Sequence, residues 1–114
     1  LAIAEGLFKW MREYEELSKL GLVLYQSSSY TKKLNIFMQN ANAIGKERII
    51  NILRTHPHIN RIESHDIHHL AIQIHVILYG AFFYVVGTQD YKNLEFHEKN
   101  TLNNLNKIIQ DFLK

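Results

Sequence analysis

Apolar residues recur every three or four positions along most of the chain, which is the spacing of one face of an α-helix. The pattern therefore predicts an all-α protein. A first helix is expected over about residues 1–14, and a second over about 15–27, where three consecutive serines mark its end. The apolar stripe of the first helix is formed by Ile3, Leu7, Trp10, Met11 and Tyr14.

The third predicted helix begins near Tyr30 and continues to about Thr55. Pro57 should stop it, because proline disfavours the α conformation in the residue before it. The phase of the apolar stripe changes after Gly45, so we expect a kink or a break there. The loop that follows is the segment HPHINRIES.

The fourth predicted helix is the segment DIHHLAIQIHVILYGAFFYVVG, Asp66 to Gly87, which is apolar around nearly its whole circumference. Ser64 or Asp66 is its expected cap, and Gly87 its expected C-terminal stop. A fifth amphipathic helix is expected over about residues 93–113. The chain thus predicts an orthogonal or antiparallel bundle of about five helices, with residues 1–114 forming a single domain.

The composition of the chain argues against several functional classes. The net charge is +2 and the basic residues are dispersed, which does not favour direct binding of DNA by this chain. The absence of cysteine excludes disulfides and thiolate metal sites and fits the cytoplasm. The longest apolar run, Val76 to Val86, is shorter than the roughly 20 residues of a membrane span, so we expect no membrane association.

Catalytic motifs are missing from the sequence. There is no glycine-rich phosphate loop and no His-Glu-x-x-His segment, so we expect neither an enzyme nor a cofactor. Three histidines, His65, His68 and His69, lie at i, i+3 and i+4, a spacing that lets imidazoles share a metal. A solvated helix start explains them more simply, so we predict no metal and keep a histidine-based metal sensor as an alternative.

Aromatic and polarisable side chains are spread over four of the predicted helices. Such a set is compatible with ordinary core packing, but together with His75 it is also typical of an adaptable apolar pocket with few polar groups. The candidate ligand-binding residues are Trp10, Tyr14, Tyr25, Phe37, Met38, His75, Tyr79 and Phe83.

The second half of the chain resembles the C-terminal end of TetR-family transcriptional regulators. The segment LAIQIHVILYGAFFYVVGTQDYKNLEFHEKNTLNNLNKIIQDFLK has a long apolar helix with small residues at Gly80 and Ala81, a polar turn and a final amphipathic helix. The upstream segment YTKKLNIFMQNANAIGKERIINIL is similar to the preceding helix of that family. The family's helix-turn-helix is absent, and because the chain starts at Leu1 without a signal peptide, we expect a fragment of a longer protein.

The resemblance implies a homodimer in which the last two helices pair with their copies as a four-helix bundle, and a pocket for a small hydrophobic effector. The excess apolar surface of the fourth helix supports the same expectation, since a two-fold interface would cover it. His75, Tyr79 and Phe83 would then face the pocket. The candidate interface residues are Ala71, Leu78, Phe82, Leu102, Leu105 and Ile109. The alternative is a helical interaction or scaffold domain that has no ligand.

Overall fold

The computed structural model describes residues 2–59 and 62–113, the side chain of Ser64 excepted. The described chain consists of five α-helices and no strand, which confirms the all-α prediction. The helices are α1 (Ala2–Glu13), α2 (Glu15–Ser27), α3 (Lys32–Arg54), α4 (Ser64–Thr88) and α5 (Leu94–Leu113), and a single 3-10 turn, Tyr91–Asn93, precedes α5.

Two serines that follow α2 form hydrogen bonds to the last turn of this helix. The hydroxyl of Ser28 donates to the carbonyl of Tyr25 at 2.6 Å, and that of Ser29 donates to the carbonyl of Gln26 at 3.1 Å. These bonds occupy carbonyls that the end of a helix leaves without an intrahelical partner. At the start of α3, by contrast, the N-cap residue Thr31 makes no side-chain capping hydrogen bond.

Two details of the predicted helices differ from the structure. Of the kink or break expected after Gly45, the break is not present, because α3 continues through Gly45 as one helix; a glycine in a helix costs only about 1 kcal/mol, and α3 packs on α4. Helix α4 continues past Gly87 to Thr88 and ends at Gln89, whose φ of 56° is left-handed. At the other end Ser64 is the first helical residue and Glu63 occupies the cap position, while Asp66 lies in the first turn.

Helix α4 is the centre of the fold and contacts each of the other four helices. One face carries the main core, where Ile67, Leu70 and Ile74 pack with Ile49 and Leu53 of α3. Toward its C-terminal end a second cluster forms around α1. Its buried members are Phe8, Met11, Phe82, Val85, Val86 and Leu94. Each such side chain contributes about 1.5–3 kcal/mol by burial, so α4 anchors the domain from both ends.

Within the described residues, α4 is also the one helix that has the length and composition to cross a membrane. The segment His65–Thr88 has a mean hydropathy of 1.8, and 39% of its most apolar window is buried against the other helices. The central helix of a water-soluble bundle has the same properties, because it is apolar on every face that it buries. The expectation of no membrane association therefore stays a prediction.

Candidate ligand-binding cavity

A cavity of about 490 Å³ lies between α1, α2, α3 and α4. Its volume is within the range of small-molecule sites, roughly 300–1,000 Å³. It is situated between the main core, which contributes Leu78 and Ile49, and the second cluster, which contributes Phe82. The other lining residues are Ile3, Leu7, Trp10, Gly21, Tyr25, Met38, Gly45, Arg48, His75, Tyr79 and Phe83.

Helix α4 supplies a row of rings to the cavity wall. His75, Tyr79 and Phe83 follow one another at intervals of four residues, so they lie along one stripe of the helix. The ring centroids of His75 and Tyr79 are 4.6 Å apart, and those of Tyr79 and Phe83 are 5.7 Å apart. Tyr25 of α2 packs on the same row, 4.9 Å from the Phe83 centroid. The result is an aromatic surface that carries three polar groups, the imidazole of His75 and the hydroxyls of Tyr25 and Tyr79.

One of those polar groups already has a hydrogen-bond partner. The hydroxyl of Tyr79 donates to the side-chain carbonyl oxygen of Asn42 at 2.6 Å. Burial raises the pKa of Tyr79, and the neighbouring hydroxyl of Tyr25 raises it further, so Tyr79 remains a neutral donor at neutral pH. Asn42 also lines a more polar cleft of about 540 Å³ between α2 and α3, which shares Tyr25, Met38 and Phe83 with the cavity.

The imidazole of His75 is packed against the backbone of α3. A Cβ atom built on Gly45 would lie 3.1 Å from His75 Nε2, closer than a methyl group normally approaches a ring, and 3.5 Å from its Cε1. Burial lowers the pKa of His75 from its ordinary 6.5, and the positive charge of Lys46 lowers it further. A neutral imidazole is therefore the form present at neutral pH, with one nitrogen able to donate and the other to accept.

Six of the eight predicted ligand-binding residues line the cavity, namely Trp10, Tyr25, Met38, His75, Tyr79 and Phe83. The other two do not. Tyr14 lies between α1 and α2 and is 49% exposed, and Phe37 is 62% exposed on α3. Phe37 precedes Met38, and one residue turns a helix by about 100°, which carries its ring away from the cavity.

Sequence reasoning missed three of the residues that α3 contributes to the cavity. Gly45, Arg48 and Ile49 line the cavity and stand seven, ten and eleven residues after Met38, so they share its helical face. That spacing was available in the sequence, but the expected break at Gly45 separated the two halves of the stripe. Arg48 is the one residue with a full formal charge among those that line the cavity.

The predicted interface residues lie mostly inside the domain. Ala71 and Leu105 are completely buried, Leu78 is 6% exposed and Phe82 is 8% exposed. Leu102 and Ile109 pack partly buried against the main core. Side chains that a single chain already buries have little surface left for a second copy, which argues against Ala71, Leu78, Phe82 and Leu105 as interface residues, while Leu102 and Ile109 stay predictions. Helix α4 is rotated so that Leu78 and Phe82 border the cavity.

The apolar surface that remains on α4 is a different stripe. Ile72, Val76 and Tyr84 are 46%, 64% and 59% exposed, and Gly80 lies between them at the same four-residue spacing. Phe96 of α5 is 66% exposed and borders, with Gly80 and Tyr84, a groove of about 420 Å³ between α4 and α5. We call these five residues, Ile72, Val76, Gly80, Tyr84 and Phe96, the outer face.

The histidines at the start of α4 do not assemble a metal site. His65 lies 3.6 Å from the carboxylate of Glu63 and 3.0 Å from that of Asp66, all three on neighbouring residues. In the part of the chain that the structure describes, no group of three or more histidine, aspartate or glutamate side chains is arranged to hold a metal.

No family model, curated protein or solved structure matches this chain.

Proposed function

We propose that this chain is the effector-sensing and homodimerisation domain of a bacterial TetR-like transcriptional repressor, located in the cytoplasm. A small hydrophobic molecule occupies the cavity, and two copies associate through the outer face. DNA is read by a helix-turn-helix that lies outside these 114 residues. The chain itself carries no catalytic role, cofactor or metal.

The observation that carries this proposal is the double exposure of α4. On one side its rings His75, Tyr79 and Phe83 border a cavity of about 490 Å³. On the neighbouring stripe, one residue further along the helix, Val76 and Tyr84 are more than half exposed. A helix that borders a cavity and also presents an apolar stripe can couple the two sites, because a ligand that moves the helix changes its contacts with a partner bound on the stripe.

The mechanism is a shift between helix arrangements. A ligand that fits the cavity better in one position of α4 increases the population of that position, by as much as its affinities for the two positions differ. In a two-fold dimer both copies of α4 would lie at the interface, so the shift changes the spacing of DNA-reading units attached to the two subunits.

The glycine in the outer face supports association through it. A Cβ atom on Gly80 would meet nothing within 4 Å inside the chain. An interior helix glycine costs about 1 kcal/mol relative to alanine, and contacts within this chain give no reason for it. A second helix packed closely on the stripe gives that reason, because small residues let two backbones approach.

The dimer is tested by a matched pair of valine substitutions. Val76 is 64% exposed in the outer face, and Val23 is 55% exposed on α2. We expect the wild-type chain and the Val23→Glu variant to sediment as dimers at micromolar concentration and the Val76→Glu variant as a monomer, all with the same helix content. A monomeric wild type, or a Val76→Glu variant that stays dimeric, contradicts the interface.

Ligand binding is tested by filling the cavity. Gly21 lines it, and a Cβ there would meet the Phe82 ring at an ordinary 3.7 Å, whereas Gly6 on α1 has open space around it. The neutral dye N-phenylnaphthylamine should become fluorescent with the wild type and the Gly6→Leu variant, and much less so with Gly21→Leu. Equal fluorescence of all three proteins contradicts a role of the cavity in binding.

The transcriptional part of the proposal is tested in the gene. We expect the coding sequence upstream of Leu1 to encode a helix-turn-helix in the same reading frame. A different kind of domain there, or an initiation codon immediately before Leu1, contradicts it.

A second candidate function is a helical protein-interaction domain without a ligand. The observation that favours it is the outer side of α2, where Leu17, Leu20 and Val23 are each more than half exposed. Under this alternative the Val23→Glu variant would lose a protein partner, and no probe would distinguish the Gly21→Leu protein from the wild type.

A further inference from the structure

The distribution of charge around the cavity narrows the chemistry of its ligand, and this inference rests on the function proposed above. Arg48 is the one fully charged lining residue, and no aspartate or glutamate lines the cavity. Hydrophobic side chains of α1 and α4, among them Leu7, Trp10 and Phe82, line the same cavity. A ligand therefore meets one positive group among rings and aliphatic groups.

Two polar groups of the cavity, those of Arg48 and His75, meet at one turn of α3. Gly45 and Arg48 are three residues apart and lie on the same face of that helix. His75 reaches this turn from α4, with its Nε2 against Gly45. The neutral imidazole and the guanidinium thus border the same end of the cavity, and the charge of Lys46 acts on that end as well.

The guanidinium of Arg48 is available to a ligand. In the described residues no carboxylate forms an ion pair with it. Carboxylates do pair with Arg12, Lys19, His65 and His97 elsewhere in the chain. The residue is exposed, which places it at the mouth of the cavity rather than in its depth. A planar guanidinium in this position presents two parallel N–H groups, the geometry that a carboxylate accepts.

We infer that the cavity binds a singly charged, mainly apolar carboxylic acid, with its ring or aliphatic body between Trp10 and Phe83 and its carboxylate at Arg48. A cationic ligand would meet Arg48 with no compensating carboxylate. A dianion would leave one charge without a cationic partner among the lining residues. His75 adds one hydrogen bond, either to the second carboxylate oxygen or to a nearby polar atom of the ligand.

The test uses matched pairs of probes that differ only in charge: naphthylacetic acid with naphthylacetamide, and octanoic acid with octanamide. Titration calorimetry on the wild-type protein should show each acid binding about tenfold more tightly than its amide, as one charge-assisted hydrogen bond provides. In Arg48→Gln the two members of each pair should bind equally. Lys33→Gln removes the same charge at the exposed start of α3 and should keep the preference.

The outcomes separate this inference from the proposed function. If acid and amide bind the wild type equally, the carboxylate assignment is overturned and the cavity remains a ligand site. If the acids are preferred in Arg48→Gln as strongly as in the wild type, Arg48 is not the anion-binding group. If no probe of either pair binds, the cavity is not a site for small apolar molecules and both proposals fall.

Discussion

The contact between His75 and the backbone of α3 determines what a methyl group at Gly45 does to stability. In an open helix position, replacing glycine with alanine raises the free energy of unfolding by about 1 kcal/mol, because alanine loses less backbone freedom on folding. Gly6 is such a position, since nothing in the chain lies within 4 Å of a Cβ built there. We expect Gly6→Ala to give this gain.

At Gly45 the same gain is offset. The new methyl would lie 3.1 Å from His75 Nε2, so the ring must move away by a few tenths of an ångström. That movement disturbs the contact with Tyr79, whose centroid is 4.6 Å away, and ring pairs of this kind contribute about 0.5–1.5 kcal/mol. The two effects are similar in size, so we expect Gly45→Ala to change the free energy of unfolding by close to zero.

A double-mutant cycle isolates the contact. In a His75→Ala background the obstruction is gone, and Gly45→Ala should recover the full gain of about 1 kcal/mol. Urea unfolding followed by helical circular dichroism, with all variants at one protein concentration, gives the four free energies. The reasoning is refuted if Gly45→Ala stabilises the wild-type background as much as Gly6→Ala does.

Three further predictions concern titration and buried polar groups. Because burial lowers the pKa of His75, the imidazole binds a proton more readily in the unfolded chain than in the folded one. The free energy of unfolding should therefore fall as the pH drops below 6.5, and it should fall less in His75→Gln. Identical pH profiles of the two proteins would contradict this. The hydroxyl of Tyr91 is buried without a hydrogen-bond partner, so Tyr91→Phe should raise the urea midpoint by the equivalent of about 1 kcal/mol, and a lower midpoint would contradict this. Asp90 accepts hydrogen bonds from His97 and Asn93, and these bonds lower the pKa of its carboxyl group. Asp90→Asn should therefore lower the melting temperature at pH 7, and the difference from the wild type should vanish as the pH falls through the lowered pKa, below 3.8. A difference in melting temperature that stays constant across that pH range would argue against it.

The helices were predictable because their apolar spacing is regular. The end of α2 at Ser27 was located correctly, since three serines interrupt the stripe and two of them, Ser28 and Ser29, donate to carbonyls of its last turn. The end of α4 was not, because a left-handed Gln89 terminates the helix where Gly87 is the more permissive residue. The continuity of α3 through Gly45 depends on packing with α4, which local sequence does not contain.

The structure brings predicted pocket residues of α4 together, while most of the predicted interface residues are buried in the core. Apolar residues occupy nearly the whole circumference of α4, so periodicity does not determine how the helix is rotated. The polar His75 indicated one side of the helix, and it lines the cavity with Tyr79 and Phe83, which follow it at four-residue spacing. No comparable marker distinguished buried Leu78 from exposed Val76, which is why the predicted interface contained core residues.

The central claim is that a small apolar molecule binds between the aromatic row of α4 and the face of α1. Isotope-filtered nuclear Overhauser spectra of the labelled protein with saturating naphthylacetic acid measure this directly. We expect cross-peaks from the naphthyl protons to Trp10, Tyr79 and Phe83. Cross-peaks to Val76 and Phe96 of the outer face, without any to the cavity residues, would contradict it.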